Sequence, residues 1–313
     1  MLGKTAGGLY WMYRYLERSD NVARLIEAGF RISLARPDIA EDEWNSILSA
    51  GGGRAIYEQS NDELETSAVI DFLLRNRDFP SSVIGSVAAA RNNARLVRTA
   101  LTREVWEAVN ESWINLKSVL ARPVNNRDLP EVLGLIRRQS ALVRGALHGT
   151  QLRNDGYQFA QLGIALERAD NTARILDMKY YALLRSGSTV AQTGSNVQWE
   201  TILRTAAALR SYRWLNGADM TPESIAEFLI LDRRMPRAIL FCIETATNNL
   251  AYLEEAYEQR NASQEMAGTL RDELRSTTIG EIYDSGLNDF TSDFLKKSGA
   301  LSGQVERDYR FIE

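Results

Sequence analysis

"LERSDNVARLI", Leu16 to Ile26, returns 150 residues later as "LERADNTARIL", Leu166 to Leu176, with seven of eleven positions identical. Apolar residues at i, i+3 and i+4 make each stretch a helix. A core alone does not explain the echo, because many apolar residues fill a core equally well. The identical letters include Glu-Arg, Asp-Asn and Arg, so the reason for the repetition has to be sought among polar groups.

Outward from this phrase the likeness continues. "WNSIL" at 44 matches "WETIL" at 199, an offset of 155 that also aligns Tyr57 with Tyr212. "FLLRNRDFP" from Phe72 aligns with "FLILDRRMP" from Phe228 at an offset of 156, and "RNNARLV" with "TNNLAYL" follows. The offset grows by only six, and the loop after Leu184 can hold the insertion. Periodic self-similarity of this kind predicts one structural unit used twice. Internal repeats of about 6–150 and 157–313 are expected within a single helical body of residues 1–313 with pseudo-twofold symmetry, there being no long flexible linker between them.

The fold class is all-α. Six prolines in 313 residues, few alternating β-branched runs and many helical apolar patterns need no strands. Helices are predicted over 6–34, 41–49, 62–76, 81–100, 103–121, 129–149, 157–185, 198–215, 222–231, 236–260, 266–276 and 279–309. "TPES" places Thr221 as an N-cap with Pro222 at the first helical position, and "TIGE" makes a capping box of Thr278 and Glu281. "GGG" at 51–53 and "RSGSTVAQTGSN" from Arg185 to Asn196 read as loops. The last helix carries an apolar stripe from Ile279 to Tyr309, which predicts a docked tail.

Composition excludes several classes. Lys and Arg number 37 against 41 Asp and Glu, and neither sign forms a long block, so no nucleic-acid footprint is expected. The apolar runs are too short for a membrane span, and the start carries no signal-like core. A soluble, unprocessed, cytoplasmic protein is expected. The single cysteine, Cys242 in "AILFCI", excludes an internal disulfide and reads as a buried small hydrophobe. The single histidine, His148 in "ALHGT", excludes a carboxylate-bridged di-iron bundle with Glu-x-x-His on two helices, and a Cys/His zinc site. It reads as a residue capping a helix C-terminus. "GGGRAI" lacks Walker spacing and a preceding strand.

The candidate site is the repeated polar stripe. Glu17, Asp20, Asn21 and Arg24 fall within an arc of about 100° on their helix, as do Glu167, Asp170, Asn171 and Arg174. Met12, Ser19, Ala23, Ile26 and Phe30 occupy roughly the opposite side of the first. Exposed i, i+4 pairs such as Asp20 with Arg24 contribute only about 0.2–0.5 kcal/mol and would not hold identities. One alternative is a semi-buried network, with Asn92, Asn93, Asn248 and Asn249 as further partners. The other is a ligand site in which two stripes face a shared cleft: carboxylates would take a cation or an amine, Arg a carboxylate or phosphate. A Mg²⁺ or Mn²⁺ site from Glu17, Asp20, Glu167 and Asp170 stays open without being specific. Only the first stripe continues through Tyr10, Tyr13 and Arg14. The matching positions are Ala160, Gly163 and Ile164, and this asymmetry allows either a phenol-lined pocket or close helix packing.

"LYWMYRYLERSDNVARLIE", "LERADNTARIL", "FLILDRRMPRAI" and "VERDYRF" together resemble the bacterial alpha-E family, all-helical and named for its glutamates. The resemblance covers nearly the whole chain. It implies an all-α domain without transferring an activity, a cofactor or catalytic residues. It also implies partners, a circularly permuted ATP-grasp protein and a transglutaminase-like protein, and hence a helical subunit in amide or peptide ligation. The alternatives are an enzyme in its own right on amide substrates, with or without dependence on a cation, and a scaffold whose stripes are structural.

Overall fold

The computed structural model describes residues 1–35, 37–61, 63–185, 192–217 and 220–311. Every regular element among them is helical. By its internal contacts the chain divides into two compact units, Met1–Ile164 with Phe311, and Ala165–Arg310.

The first unit contains α1 (Gly3–Ala35), α2 (Ala40–Ala50), α3 (Arg54–Glu58), α4 (Thr66–Arg75), α5 (Val83–Leu96), α6 (Arg103–Val119), α7 (Leu129–Thr150) and the opening of α8 (Asp155–Arg185). α1 is its spine, packed chiefly on α5 and then on α7, α2 and α4. Met12, Ser19, Ala23 and Ile26 are buried on its apolar side as the sequence predicts, while Phe30 of the same row is only half-buried. Trp44 of α2 is buried and its indole N–H donates to Thr66 Oγ1 at 3.0 Å, which ties the start of α4 to α2. After α4 the Asn76 carboxamide oxygen accepts from the N–H groups of Asp78 and Phe79, both at 2.8 Å. That turn brings Phe79 to stack on Phe72, and Ser82 then caps α5.

The second unit contains the rest of α8, then α9 (Gln192–Thr205), α10 (Leu209–Asn216), α11 (Pro222–Leu231), α12 (Ile239–Tyr257), α13 (Ala262–Ser276), α14 (Ile279–Ser285) and α15 (Leu287–Asp308). Trp199 and Tyr212 are fully buried, and Tyr212 meets Phe228 edge to face. Asp232 makes the turn after α11, its Oδ1 accepting from Arg234 N at 2.7 Å and Met235 N at 3.0 Å. Thr221 caps α11 with Pro222 in its first turn as expected, and adds a capping box with Ser224, while Thr278 forms the expected box with Glu281.

The helix expectations fail in a few places, each for a local reason. Residues 54–58 form α3, a single turn too short to show a periodicity. The segment 198–215 is two helices, because Ala207 takes φ 54° and ends α9. The segment 279–309 is likewise two, broken by Gly286 at φ 97°, a conformation open to glycine at little cost. Of the expected loop Arg185–Asn196, residues 186–191, including the place for the insertion after Leu184, lie outside the described residues, whereas Gln192 already begins α9. Weak helix formers such as Gly194 and Asn196 are carried inside that helix, since propensity is a weak prior. The tail is docked: Phe311 is buried against Tyr10 and Phe159, with ring centroids 5.3 and 5.9 Å away.

Candidate functional site

In the first unit the polar stripe lies inside the protein. Glu17 is 1% exposed and Asp20 0%, and Tyr10, Tyr13, Arg14 and Asn21 are buried with them. The covering element is α7, which runs antiparallel to α1. Arg144 Nη1 stands 3.0 Å from Glu17 Oε2, 3.3 Å from Glu17 Oε1 and 3.9 Å from Asp20 Oδ2. Arg24 Nε donates to Asp20 Oδ2 at 3.3 Å. One turn away along α7, Ser140 Oγ donates to the Leu16 carbonyl at 2.9 Å, and Arg137 pairs with Glu27 at the far end. Two carboxylates and two guanidinium groups thus neutralise one another within a helix interface. A buried charge survives only with such partners.

The stripe continues upward as Arg14 Nη1 donates to the Tyr10 hydroxyl at 2.9 Å, with its guanidinium lying over the Tyr10 and Trp11 rings. Gly163 explains the small residues opposite. A methyl group there would lie 2.3 Å from the Tyr10 carbonyl oxygen and 3.3 Å from Arg14 Cγ, so glycine permits backbone contact between α1 and the start of α8. Tyr13 is fully buried, and its hydroxyl has no hydrogen-bond partner among the described residues. Burial, reinforced by neighbouring Tyr157, pushes that phenol well above its ordinary value and keeps it protonated.

Tyr157 itself receives a hydrogen bond from Arg153 and stands 2.9 Å from His148 Nδ1. His148 therefore binds a side chain of the next helix, which corrects its reading as a residue capping α7; the residue at the C-cap is Gln151. The asparagines proposed as further partners are also accounted for differently. Asn93 donates to Ala89 O and Asn249 to Thr245 O, each within its own helix, while Asn92 and Asn248 are exposed.

The second stripe, in the second unit, has the same letters and a different setting. Glu167 and Asn171 are buried. Arg174 Nε donates to Asp170 Oδ2 at 2.9 Å, yet the Arg174 side chain is 44% exposed and that of Asp170 22%, against 17% and 0% for Arg24 and Asp20. The Asn171 Nδ2 is buried without a hydrogen-bond partner among the described residues. Among those residues no group of three or more His, Cys, Asp or Glu is arranged to hold a metal ion. Cys242 is buried in α12 as expected, and no described helix is long and apolar enough to cross a membrane.

Arg144, Arg153 and Tyr157 are the site residues that sequence reading missed. The available signal was Arg137, Ser140 and Arg144 at i, i+3 and i+7, a polar row on a helix that buries Val132, Leu133, Ile136, Val143 and Leu147.

The class these features define is an all-helical protein organised around Glu-Arg helices. The chain belongs to the Alpha-E family, described as a predicted alpha-helical domain with a conserved ER motif, whose profile matches residues 1–309. Glu17-Arg18 and Glu167-Arg168 are the two Glu-Arg pairs of the repeated phrase. Relatives include an uncharacterized protein of Mycobacterium bovis and one of Mycobacterium tuberculosis. Each is 24% identical over 265 residues, which is 75% of this chain and 28% of the relative. The chain thus spans little more than a quarter of these relatives' length. No solved structure matches it.

Proposed function

We propose that the protein is a helical subunit that works with an ATP-grasp-type ligase in amide or peptide bond formation, in the cytoplasm, and that its second polar stripe makes the working contact. The ligase and a transglutaminase-like partner come from the family resemblance; the division of labour between stripes comes from their burial. Glu17 and Asp20 are sealed and internally neutralised, which suits a structural seam. Asp170 and Arg174 present a carboxylate and a guanidinium to solvent beside Asn171, a combination able to hold an amino-acid or peptide backbone at both of its polar ends.

This reading treats the two units as copies of one repeat. In support, both run long helix, short helices, a ten-residue helix and an Asx-type turn in the same order, with Trp44 and Trp199 buried at matching positions. The burial of Glu17 also favours a purely structural role for the first stripe, so scaffolding and substrate binding are assigned to different copies.

The test is ligation by the purified ATP-grasp partner with and without this protein. Asp170→Asn and Arg174→Ala are expected to lower the rate by about tenfold or more with unchanged melting temperature, an effect of about 1.4 kcal/mol or more. Ligation indifferent to the protein, or to both substitutions, would sink the reading.

A further inference from the structure

The junction of α13, α14 and α15 forms a cleft of about 510 Å³ that is open to solvent on one side. Its floor is apolar, with Leu274, Ile282 and Phe294 buried, and the half-exposed ring of Phe290 forms a wall. Glu273, Glu281, Asp293 and Lys297 stand at its rim. Lys297 Nζ lies 2.7 Å from Glu273 Oε2 and 3.0 Å from Asp293 Oδ2, so the chain itself seats an ammonium between these two carboxylates. Glu281 Oε2 accepts from Thr278 N at 2.8 Å and Thr278 Oγ1 at 3.0 Å, which fixes a third negative charge at the rim. Three carboxylates against one ammonium leave negative charge in excess over an apolar, partly aromatic floor.

The corresponding junction of the first unit, between the end of α6 and the start of α7, holds a cavity of about 300 Å³. There Arg122 and Arg138 balance Asp128 and Glu131, and the walls are aliphatic. Excess negative charge beside an aromatic wall is therefore particular to the second junction and does not follow from this kind of helix packing.

We propose that the α13–α14–α15 cleft receives the alkylammonium side chain of a lysine-type residue on a peptide, its methylenes against Phe290 and Leu274 and its ammonium displacing Lys297 from Glu273 and Asp293. Two carboxylates converging on one nitrogen fit a compact ammonium better than a planar guanidinium, which asks for parallel bidentate acceptors. A metal ion is not the match, since no group of three or more His, Cys, Asp or Glu among the described residues is arranged as a ligand set. The Lys297 side chain is 43% exposed on a flexible stem and can swing aside, and an ammonium facing Phe290 adds a cation–π contribution.

The experiment is an NMR titration of the whole protein with Nα-acetyl-lysine N-methylamide and, as the uncharged match, Nα-acetyl-norleucine N-methylamide. The lysine probe is expected to shift amides of residues 270–297 and to bind about tenfold more tightly than the norleucine probe. Asp293→Asn should weaken it about fivefold, and Lys297→Met, which removes the resident competitor, should tighten it about threefold or more. Asp293 and Lys297 are both exposed at the rim, so both variants are expected to fold, and melting temperatures check this. Equal affinity for the two probes, no shift among residues 270–297, or a Lys297→Met variant that fails to tighten overturns the proposal. No ligase is present, so its failure is distinguishable from failure of the ligase reading.

Discussion

Replacing Glu17 by Gln tests whether the first stripe holds the unit together. Glu17 is 1% exposed and both carboxylate oxygens face Arg144 Nη1, at 3.0 and 3.3 Å. Removing one member of a fully buried pair costs about 3–5 kcal/mol, because the other charge is left uncompensated. Here Arg144 is 18% exposed and keeps Asp20 at 3.9 Å, which reduces the penalty to about 2–3 kcal/mol. For a unit of this size each kcal/mol moves the melting temperature by about 2–4 °C, so a drop of about 5–10 °C is expected. Far-UV circular dichroism during heating measures it, with urea unfolding to convert it to free energy. The Glu17→Met and Arg144→Met pair completes a double-mutant cycle, in which the double variant should lose at least about 1 kcal/mol less than the sum of the singles. A melting temperature within about 1 °C of the parent, or additive singles, would refute the reasoning.

Two further outcomes follow from local geometry. Gly163→Ala would gain about 1 kcal/mol from helix propensity alone, but its methyl meets the Tyr10 carbonyl oxygen at 2.3 Å. A net loss of about 1–3 kcal/mol in urea unfolding is expected, and an unchanged or raised midpoint would contradict the close approach of α1 and α8. For Asp232, burial raises the carboxyl, but hydrogen bonds from the Arg234 side chain and from the Arg234 and Met235 amides outweigh it and hold its pKa below the ordinary value. A carboxyl depressed in the folded state stabilises fully above its unfolded pKa of about 4 and loses that contribution as pH falls through the folded value. Asp232→Asn keeps the turn acceptor, as Asn76 does in the first unit, and should show a shallower fall in urea midpoint below pH about 4 than the parent. Identical pH profiles would refute this assignment.

What the sequence disclosed was what is periodic or local. Long helices such as α1 and α7, the caps at Thr221 and Thr278, and the docked tail all rest on signals a few residues long. The break at Gly286 was hidden because apolar spacing continues across it, from Ile282 to Leu287 to Phe294. The site was legible as a list of polar residues but not as an environment. Glu17 meets its partner Arg144 across 127 positions of chain, and no spacing within α1 specifies which helix will cover the stripe. His148 was misread for the same reason: its Tyr157 partner lies beyond a helix end, where side-chain direction is set by packing.

The repeated phrase now has two physical explanations, one for each copy. An ordinary surface helix needs one apolar face, whereas α1 buries both Met12, Ala23 and Ile26 and the opposite row of Glu17, Asp20 and Asn21. Charges in that position tolerate few substitutions, because each identity is matched to Arg144 or Arg24. Burial of that degree does not extend to Asp170 and Arg174, whose pair is accessible to water and contributes little to stability as an isolated i, i+4 interaction. If packing alone governed the phrase, Asp170 and Arg174 would be free to drift to other polar residues, whereas Glu167 and Asn171 are buried as in the first copy. In the function proposed above, the more open setting of Asp170 and Arg174 is what supports the second stripe as the working contact, and on that proposal the Asp170→Asn and Glu17→Gln variants should fail in different assays.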